Sequence, residues 1–483
     1  MTHHNTASRI SRRHLVQGAA WSAPVILASA TVPAWAASGE PTCSPALTLK
    51  PTATGYDDKA GAYTEWLVPE GVGRVRFDLV GGAGGAATSF TPRYLTDVTN
   101  ASLAGGGAGA QLSGVLAVKS GDILRVWAGN GGVGSASGAK PALGGEGYAA
   151  GGDSTGSSNA TGSAQVVGTD SGYVYGASGG GSSAVELVRD GSVTVVAVAG
   201  AGGGGAQLGT LTTHQHIFDT QPKDQLNPAL RIAMEHRDAN STAGGSAGGD
   251  LGTDNPGQGG MLVASPYQEF KPLDEDDKTL DMRFMVTGGT AGRSGVAGTL
   301  GEALIGILDE NDELKLMPMS EPWFESYNFP RYYMYYGDSV SQGEKGTGGA
   351  DATGSYRGKG GSGALLSRTH GKLSLTSAAS GGGAGYGGGG AGLNIWTIGA
   401  YRDSAFGRQV QFENEGNIYS LSTLSSGGGA GGSYINHEVV SDFALTTAQN
   451  ANPTAGVRSP GSAALYSCTE NATLNTPITE GAL

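Results

Sequence analysis

Positive charge is scarce in this chain. Lys and Arg number 29 against 42 Asp and Glu, a net charge of −13 at neutral pH. Nucleic-acid backbones are held by clustered basic side chains, so no nucleic-acid partner is expected. Long apolar runs are also missing: past the first residues nothing offers the ~18 uninterrupted apolar positions of a spanning helix, and no membrane span is expected. Charged residues make up only 15% and Pro numbers 19, which excludes a highly charged disordered chain and a proline-rich linker. Cysteine is the rarest residue, with two copies, Cys43 and Cys468. In an exported protein such a pair is more often bridged than free, and a bridge would set the first and last strands side by side. Its loop-entropy contribution would be on the order of 5–6 kcal/mol at most. Two unpaired thiols are the alternative.

Export itself is read from residues 1–36. "SRRHLVQGAAWSAPVILASATVPAWA" places Arg12 and Arg13 before a moderately apolar segment, and Ala34-Trp35-Ala36 supplies small residues for cleavage between Ala36 and Ala37. Ser11-Arg12-Arg13-His14-Leu15-Val16 resembles the twin-arginine export consensus, and the leader is similar to those of secreted proteins of Gram-positive actinobacteria. An ordinary secretory signal with a basic start is the alternative. Removing the leader leaves 26 basic residues against 42 acidic ones, a charge of −16. The closing "NTPITEGAL" carries no LPxTG-type sorting signal with an apolar and basic tail, so covalent wall anchoring is not expected.

What the chain has in excess is glycine, 87 of 483 residues, about 18% against roughly 7% in ordinary proteins. "GGGAGYGGGGAG", residues 381–392, is the densest run; others lie at 104–110, 144–152, 176–182 and 427–432, and directly after Leu79, Trp127 and Val198. Between them stands strand text. In "GRVRFDLV", Val75, Phe77 and Leu79 alternate with Arg74, Arg76 and Asp78, the period of a half-buried strand. "GVLAVKSGDILRVWAG" predicts a hairpin around Ser120-Gly121-Asp122, and "VELVRDGSVTVVAVAG" another around Asp190-Gly191. "CSPALTLKP", "RQVQFEN", "NIYSLST" and "AALYSCTE" predict further strands.

Three backbone states could use the glycine runs. Collagen needs Gly at every third position, but Ala384, Tyr386 and Ala391 fall in three different phases of three. A flexible linker joins domains, whereas these runs emerge repeatedly from strand pairs. The remaining state is the extended threefold helix, about 3.1 Å per residue with no internal hydrogen bonds. Its backbone must pair with neighbouring chains, and only Gly allows several such helices so close. The sequence therefore predicts a mostly β protein in which a β-sandwich stands beside a bundle of polyglycine-II helices.

At this point a family resemblance is visible. "YTEWLVPEGVGRVRFDLVGGAGG", "GGGAGAQLSGVLAVKSGDILRVWAGNGGVG", "GASGGGSSAVELVRDGSVTVVAVAGAGGGGA", "GGGAGYGGGGAG" and "SSGGGAGGSYI", in that order, resemble the glycine-rich extracellular domain of bacterial surface proteins and of the anaplastic lymphoma kinase ectodomain. Phage tail-tip adhesins are more distantly similar. The resemblance covers most of 56–437 and implies a jelly-roll, tumour-necrosis-factor-like sandwich joined to polyglycine helices. It implies binding of other macromolecules, no activity and no particular site residue.

Residues 207–345 depart from this pattern and read as an insertion. The chain thus divides into a leader (1–36), a segment with Cys43 (37–55), a first glycine-rich β part (56–206), the insertion, and a second glycine-rich β part (346–483). Inside the insertion, "NPALRIAMEHRDA" predicts a short helix capped at Asn227. "EPWFESYNFPRYYMYY" gathers Trp323, Phe324, Tyr327, Phe329, Tyr332, Tyr333, Tyr335 and Tyr336 in a chain of 7% aromatics. Tyr and Trp suit binding surfaces and strand cores alike; Pro330 and the irregular spacing argue against one clean strand. These aromatics are the candidate ligand-binding residues, with structural cover as the competing role.

Catalytic and metal patterns are weaker. Ser178 and Ser246 fit G-x-S-x-G, a pattern expected by chance in so glycine-rich a chain and here without strand-to-helix context. His214, His216 and His236 lack a completing thiol or carboxylate and read as solvated loop residues. Asp274-Glu275-Asp276-Asp277 and Asp309-Glu310-Asn311-Asp312-Glu313 lack the glycine of a calcium loop and read as solvated turns. No cofactor is expected. The expected function is adhesion or recognition of a protein or glycan at a cell surface, without catalysis; a structural envelope component and a secreted hydrolase are the second and third readings.

Overall fold

The structure is a computed structural model. It describes residues 43–468 apart from 91–104, 135–141, 155–169, 213–262, 271–279, 309–313, 319–332, 349–355, 402–418 and some shorter stretches. The described residues are mostly β, and none of them is helical.

Two five-stranded antiparallel sheets enclose the main core. The first holds β1 (Cys43–Leu49), β23 (Ser462–Cys468), β3 (Arg74–Val80), β5 (Ala110–Ala117) and β22 (Val440–Thr447), in that order. The second holds β2 (Ala62–Leu67), β6 (Ile123–Ala128), β8 (Ser183–Arg189), β9 (Ser192–Ala199) and β21 (Tyr434–Ile435). The alternation read in β3 holds: Val75, Phe77 and Leu79 are all 0% exposed and join Leu112, Leu124, Val126, Val185, Val196 and Leu465 in one cluster. Each such side chain contributes roughly 1.5–3 kcal/mol by leaving water. Phe77 faces Gly114 across the strand pair, where a Cβ would meet its ring, so glycine in the middle of β5 makes room for the aromatic.

Cys43 and Cys468 are bridged and sit opposite each other in the β1–β23 register, as the sequence led one to expect. The hairpin around Asp190-Gly191 also forms: both residues have positive φ, 51° and 77°, and β8 pairs with β9. The other expected hairpin does not. The Ser120-Gly121-Asp122 turn exists, with Gly121 at φ 89° and the Lys119 N–H donating to Asp122 Oδ2, yet it carries the chain from one sheet to the other. Both edges of β5 are taken by β3 and β22, and both edges of β6 by β2 and β8. Long-range pairing outweighs the local turn.

Three further sheets are built from the rest. One orders β10 (Gly209–Thr212), β20 (Tyr419–Ser425), β19 (Leu393–Tyr401) and β16 (Tyr333–Gln342). Another joins β11 (Val263–Ala264) and β12 (Gln268–Phe270) to β13 (Leu280–Val286), followed by β14 (Ala303–Leu308) and β15 (Leu314–Pro318). The last orders β17 (Leu365–His370), β18 (Leu373–Ala378), β7 (Asp170–Val174) and β4 (Ser89–Phe90), where β18 and β7 are parallel.

The glycine runs lie side by side and exchange backbone hydrogen bonds with a period of three. Along 177–182, Ala177 and Gly180 donate to Gly205 and Gly202, Ser178 and Gly181 to Val133 and Asn130, and Gly179 and Ser182 to Gly152 and Ala149. In the densest run Gly381 and Ala384 donate to Ala177 and Gly180, Gly382 and Gly385 to Gly361 and Gly358, and Gly383 and Tyr386 to Gly429 and Gly432. The run 200–205 is bonded to five others, at 82–85, 107–110, 177–180, 381–384 and 428–431. A Cβ on most of these glycines would stand closer than 3.0 Å to a neighbouring backbone atom. Positive φ is not the reason for glycine in these runs, since among the described residues the positive-φ glycines are 71, 121, 191, 295 and 456. Alanine occurs where a methyl fits, as at Ala201, Ala384 and Ala391, each 0% exposed. Serines supply bonds where backbone runs out: Ser183 Oγ accepts from the Gly129 N–H and Ser426 Oγ donates to the Thr287 carbonyl.

The 207–345 segment does not stand apart from this array. Gly289 and Gly292 donate to Gly427 and Ala430, Gly298 to Gly388, and Gly346 to Gly298. These shorter runs, at 288–301 and 343–348, were hidden by charged and β-branched neighbours that occupy exposed positions such as Glu344, Lys345 and Thr347. Thr42–Leu483 form one compact unit. The leader, the 227–239 stretch and "RQVQFEN" lie outside the described residues.

Candidate functional site

The outer face of the β2-β6-β8-β9-β21 sheet follows from the alternation in β6. Leu124, Val126 and Ala128 are buried, so Ile123, Arg125 and Trp127 point the other way. Register extends each of them into a row across the sheet. Tyr63, Trp127, Ala184, Val198 and Tyr434 stand opposite one another on successive strands. The next row is Glu65, Arg125, Glu186 and Val195; the last is Leu67, Ile123, Val188 and Val193.

Segments of the glycine array bring further rings onto the aromatic row. Tyr148 meets Trp127 edge-on at 5.0 Å between centroids, and Tyr63 meets Trp127 at a tilt at 4.8 Å. Tyr356, Tyr386 and Tyr434 form a mutual trio, with centroids 5.0, 4.7 and 4.7 Å apart. Such pairs each contribute about 0.5–1.5 kcal/mol beyond the area they bury. The guanidinium carbon of Arg357 lies 5.3 Å from the Trp127 ring centre and 4.5 Å from that of Tyr148.

Glu65 and Arg125 form a close ion pair on this face. Arg125 Nε donates to Glu65 Oε1 at 3.0 Å, and the Tyr63 hydroxyl donates to the same oxygen at 2.7 Å; both hold the Glu65 carboxyl below its usual range, the tyrosine bond contributing most. The Tyr148 hydroxyl donates to Glu186 Oε1 at 2.8 Å inside a buried setting. Burial, then Glu186, pushes the Tyr148 phenol well up, and burial followed by a Tyr356 hydrogen bond does the same to Tyr434. Both remain donors across the physiological range. Stacking, cation–π contact and hydrogen bonding are therefore what this face can do.

The residues singled out in the sequence are distributed otherwise. Tyr333, Tyr335 and Tyr336 lie on β16, opposite Tyr401, Gly399 and Ile398 of β19, so the cluster's end belongs to a strand that starts at Tyr333. Trp323, Phe324, Tyr327, Phe329 and Tyr332 lie outside the described residues, as do Arg12, Arg13, Ala36, Ala37, Ser246, His214, His216, His236, Asp274–Asp277 and Asp309–Glu313. Ser178 is 0% exposed, and its Oγ accepts from the Val133 N–H and donates to the Leu143 carbonyl. Its hydroxyl is a substitute for backbone in the array. Among the described residues no three His, Cys, Asp or Glu side chains converge as metal ligands, and no helix is long and apolar enough to cross a membrane.

The aromatic face was missed because its rings come from positions 63, 127, 148, 356, 386 and 434. One signal was present: Trp127 shares the phase of Arg125 in β6, opposite Leu124 and Val126. Tyr386, alone among glycines and alanines in its run, was another. No protein-family model matches the chain, and no curated protein matches it either.

Proposed function

We propose that this is an exported, non-catalytic recognition or adhesion protein that meets a macromolecule at a cell surface through the aromatic outer face of the β2-β6-β8-β9-β21 sheet. In this reading the two packed sheets are a jelly-roll-like sandwich, the glycine array is a bundle of polyglycine-II helices, and the resemblance to glycine-rich surface domains reflects common descent. The threefold recurrence of hydrogen-bond partners supports the helical state, since an extended helix of three residues per turn presents every third N–H to the same neighbour. The observation that carries the functional reading is the aromatic row, where Tyr63 is 50% exposed beside Trp127 on a face stiffened by the array. Exposed rings on a rigid base bind at low entropic cost.

Cell-binding and pull-down assays with the mature chain test this. Tyr63→Ala should abolish saturable binding while the protein stays folded; unchanged binding would remove this face as the recognition surface. The sequence offers a rival surface in the 323–336 aromatics, and loss of binding in Trp323→Ala, Tyr333→Ala or Tyr336→Ala instead would move recognition there. A purely structural envelope role is a second reading, favoured by the dense bonding of the 200–205 run to five neighbours. Absence of any saturable partner would support it.

A further inference from the structure

Glu186 is buried at 6% exposure in the middle of β8, and a carboxylate so placed calls for a cation. Its cross-strand neighbour Arg125 attracts it through space but gives its Nε hydrogen bond to Glu65. The Tyr148 hydroxyl supplies one neutral donor at 2.8 Å. The nearest approach of Arg357 to the carboxylate is 3.9 Å, beyond hydrogen-bonding distance, although its guanidinium lies over both Trp127 and Tyr148. A cation is thus present over two rings and beside a carboxylate, held by the Tyr148 hydroxyl and the ring faces without a direct hydrogen bond to Glu186, and the Arg357 side chain is 48% exposed.

The backbone at this place is fixed. The Gly358 N–H donates to Gly385, the Gly385 N–H donates back to Gly358, and the Gly360 N–H donates to Ala150. Arg357 can therefore leave only by rotating its side chain, which leaves Trp127, Tyr148 and Glu186 in position. The net charge of −13 favours a basic incoming group.

We propose that Trp127, Tyr148 and Glu186 form a seat for a guanidinium group, filled by Arg357 in the free protein and taken by an arginine side chain of a protein partner on binding. A planar guanidinium can stack on the rings and donate to the carboxylate at once, whereas a quaternary ammonium has no hydrogen to give Glu186. The assignment rests on the reading that this face is the recognition surface, and it commits the partner to protein with an exposed arginine.

The test uses the full mature chain carrying Arg357→Ala, titrated with N-methylguanidinium chloride at constant ionic strength and followed by tryptophan fluorescence. Trp127→Phe identifies the signal of the seat. The expected result is a saturable response in Arg357→Ala, about tenfold weaker in the unsubstituted chain because the internal arginine competes, and lost in Arg357→Ala/Glu186→Gln. A folded Arg357→Ala that shows no saturable response overturns the seat, and an equal response to choline overturns its guanidinium selectivity. Should Arg357→Ala fail to fold, Arg357→Gln keeps most of the side-chain stem without the charge and carries the same expectations. Cation binding without any cell-surface partner would leave the seat and remove the recognition reading; partner binding that needs Tyr63 but ignores Arg357→Ala and Glu186→Gln would do the reverse.

Discussion

Leu79 and Gly81 are two residues apart and belong to regions held by different forces. Leu79 is buried in the cluster between the two large sheets, where an apolar side chain stabilises by leaving water. Gly81 has no side chain; its N–H donates to Ala110, and a Cβ there would collide with the backbone of Gly200. In the sheets, side-chain volume is the source of stability. In the array it is an obstruction, and stability comes from many backbone bonds, each worth only about 0.5–1.5 kcal/mol net but costly to leave unmade. The difference teaches that a low-hydrophobicity run can be the most densely ordered part of a fold.

The comparison is broken most directly at the glycines. Gly203→Val and Gly388→Val place a branched side chain against the carbonyls of Gly428 and Lys359, so each should prevent folding or cost more than about 4 kcal/mol in denaturant melts. Ala384→Gly, in the same run as Gly388, removes a methyl that fits and should cost only about 1 kcal/mol. Parent-like melting of both valine variants would make the runs linkers.

Leu79→Ala tests the other region and should cost about 2–5 kcal/mol, with thermal denaturation as the readout. The clasp between β1 and β23 comes next. Replacing Cys43 and Cys468 by Ser should cost about 2–5 kcal/mol without affecting partner binding. Peptide mapping of the oxidised chain should recover the linked pair; two thiols alkylated without reduction would contradict it.

Acid sharpens the contrast at a buried carboxylate in the turn between β5 and β6. Asp122 is 5% exposed in its side chain and pairs with Arg189 at 2.6 Å. The Arg189 hydrogen bonds, against burial and with help from the Lys119 N–H, lower its pKa. A lowered folded pKa contributes stability that is present above the unfolded value, near 3.9, and is lost as pH falls through the folded one. Asp122→Asn should therefore lose about 1–3 kcal/mol at pH 7 and show a flatter decline from pH 5 downward; an unchanged slope would assign the acid transition elsewhere. A small effect on stability is expected at Tyr63→Ala, about 1 kcal/mol for the lost Trp127 pairing and Glu65 hydrogen bond, and calorimetry should find the larger loss in binding.

Much of the sheet region was legible. Val75, Phe77 and Leu79 declared their buried face by period two, and Asp190-Gly191 declared a hairpin because both residues adopt positive φ readily. The Ser120-Gly121-Asp122 turn was equally legible, but its outcome was not, because the partners that occupy the edges of β5 and β6 come from 62–80, 183–189 and 440–447. The short runs at 288–301 and 343–348 were passed over since their Thr, Arg, Glu and Lys dilute the glycine signal.

By itself the sequence determined the β class and the alternation of strand and glycine run, because each follows from local periodicity or the absence of Cβ, and it favoured a bridge between its two cysteines, which the structure forms. Only the tertiary structure decided which runs are neighbours, that β5 and β6 part company, and that Tyr63, Trp127, Tyr148, Tyr356, Tyr386 and Tyr434 share one face. Those outcomes depend on register between strands and on hydrogen bonds between runs hundreds of residues apart, and no local spacing encodes them.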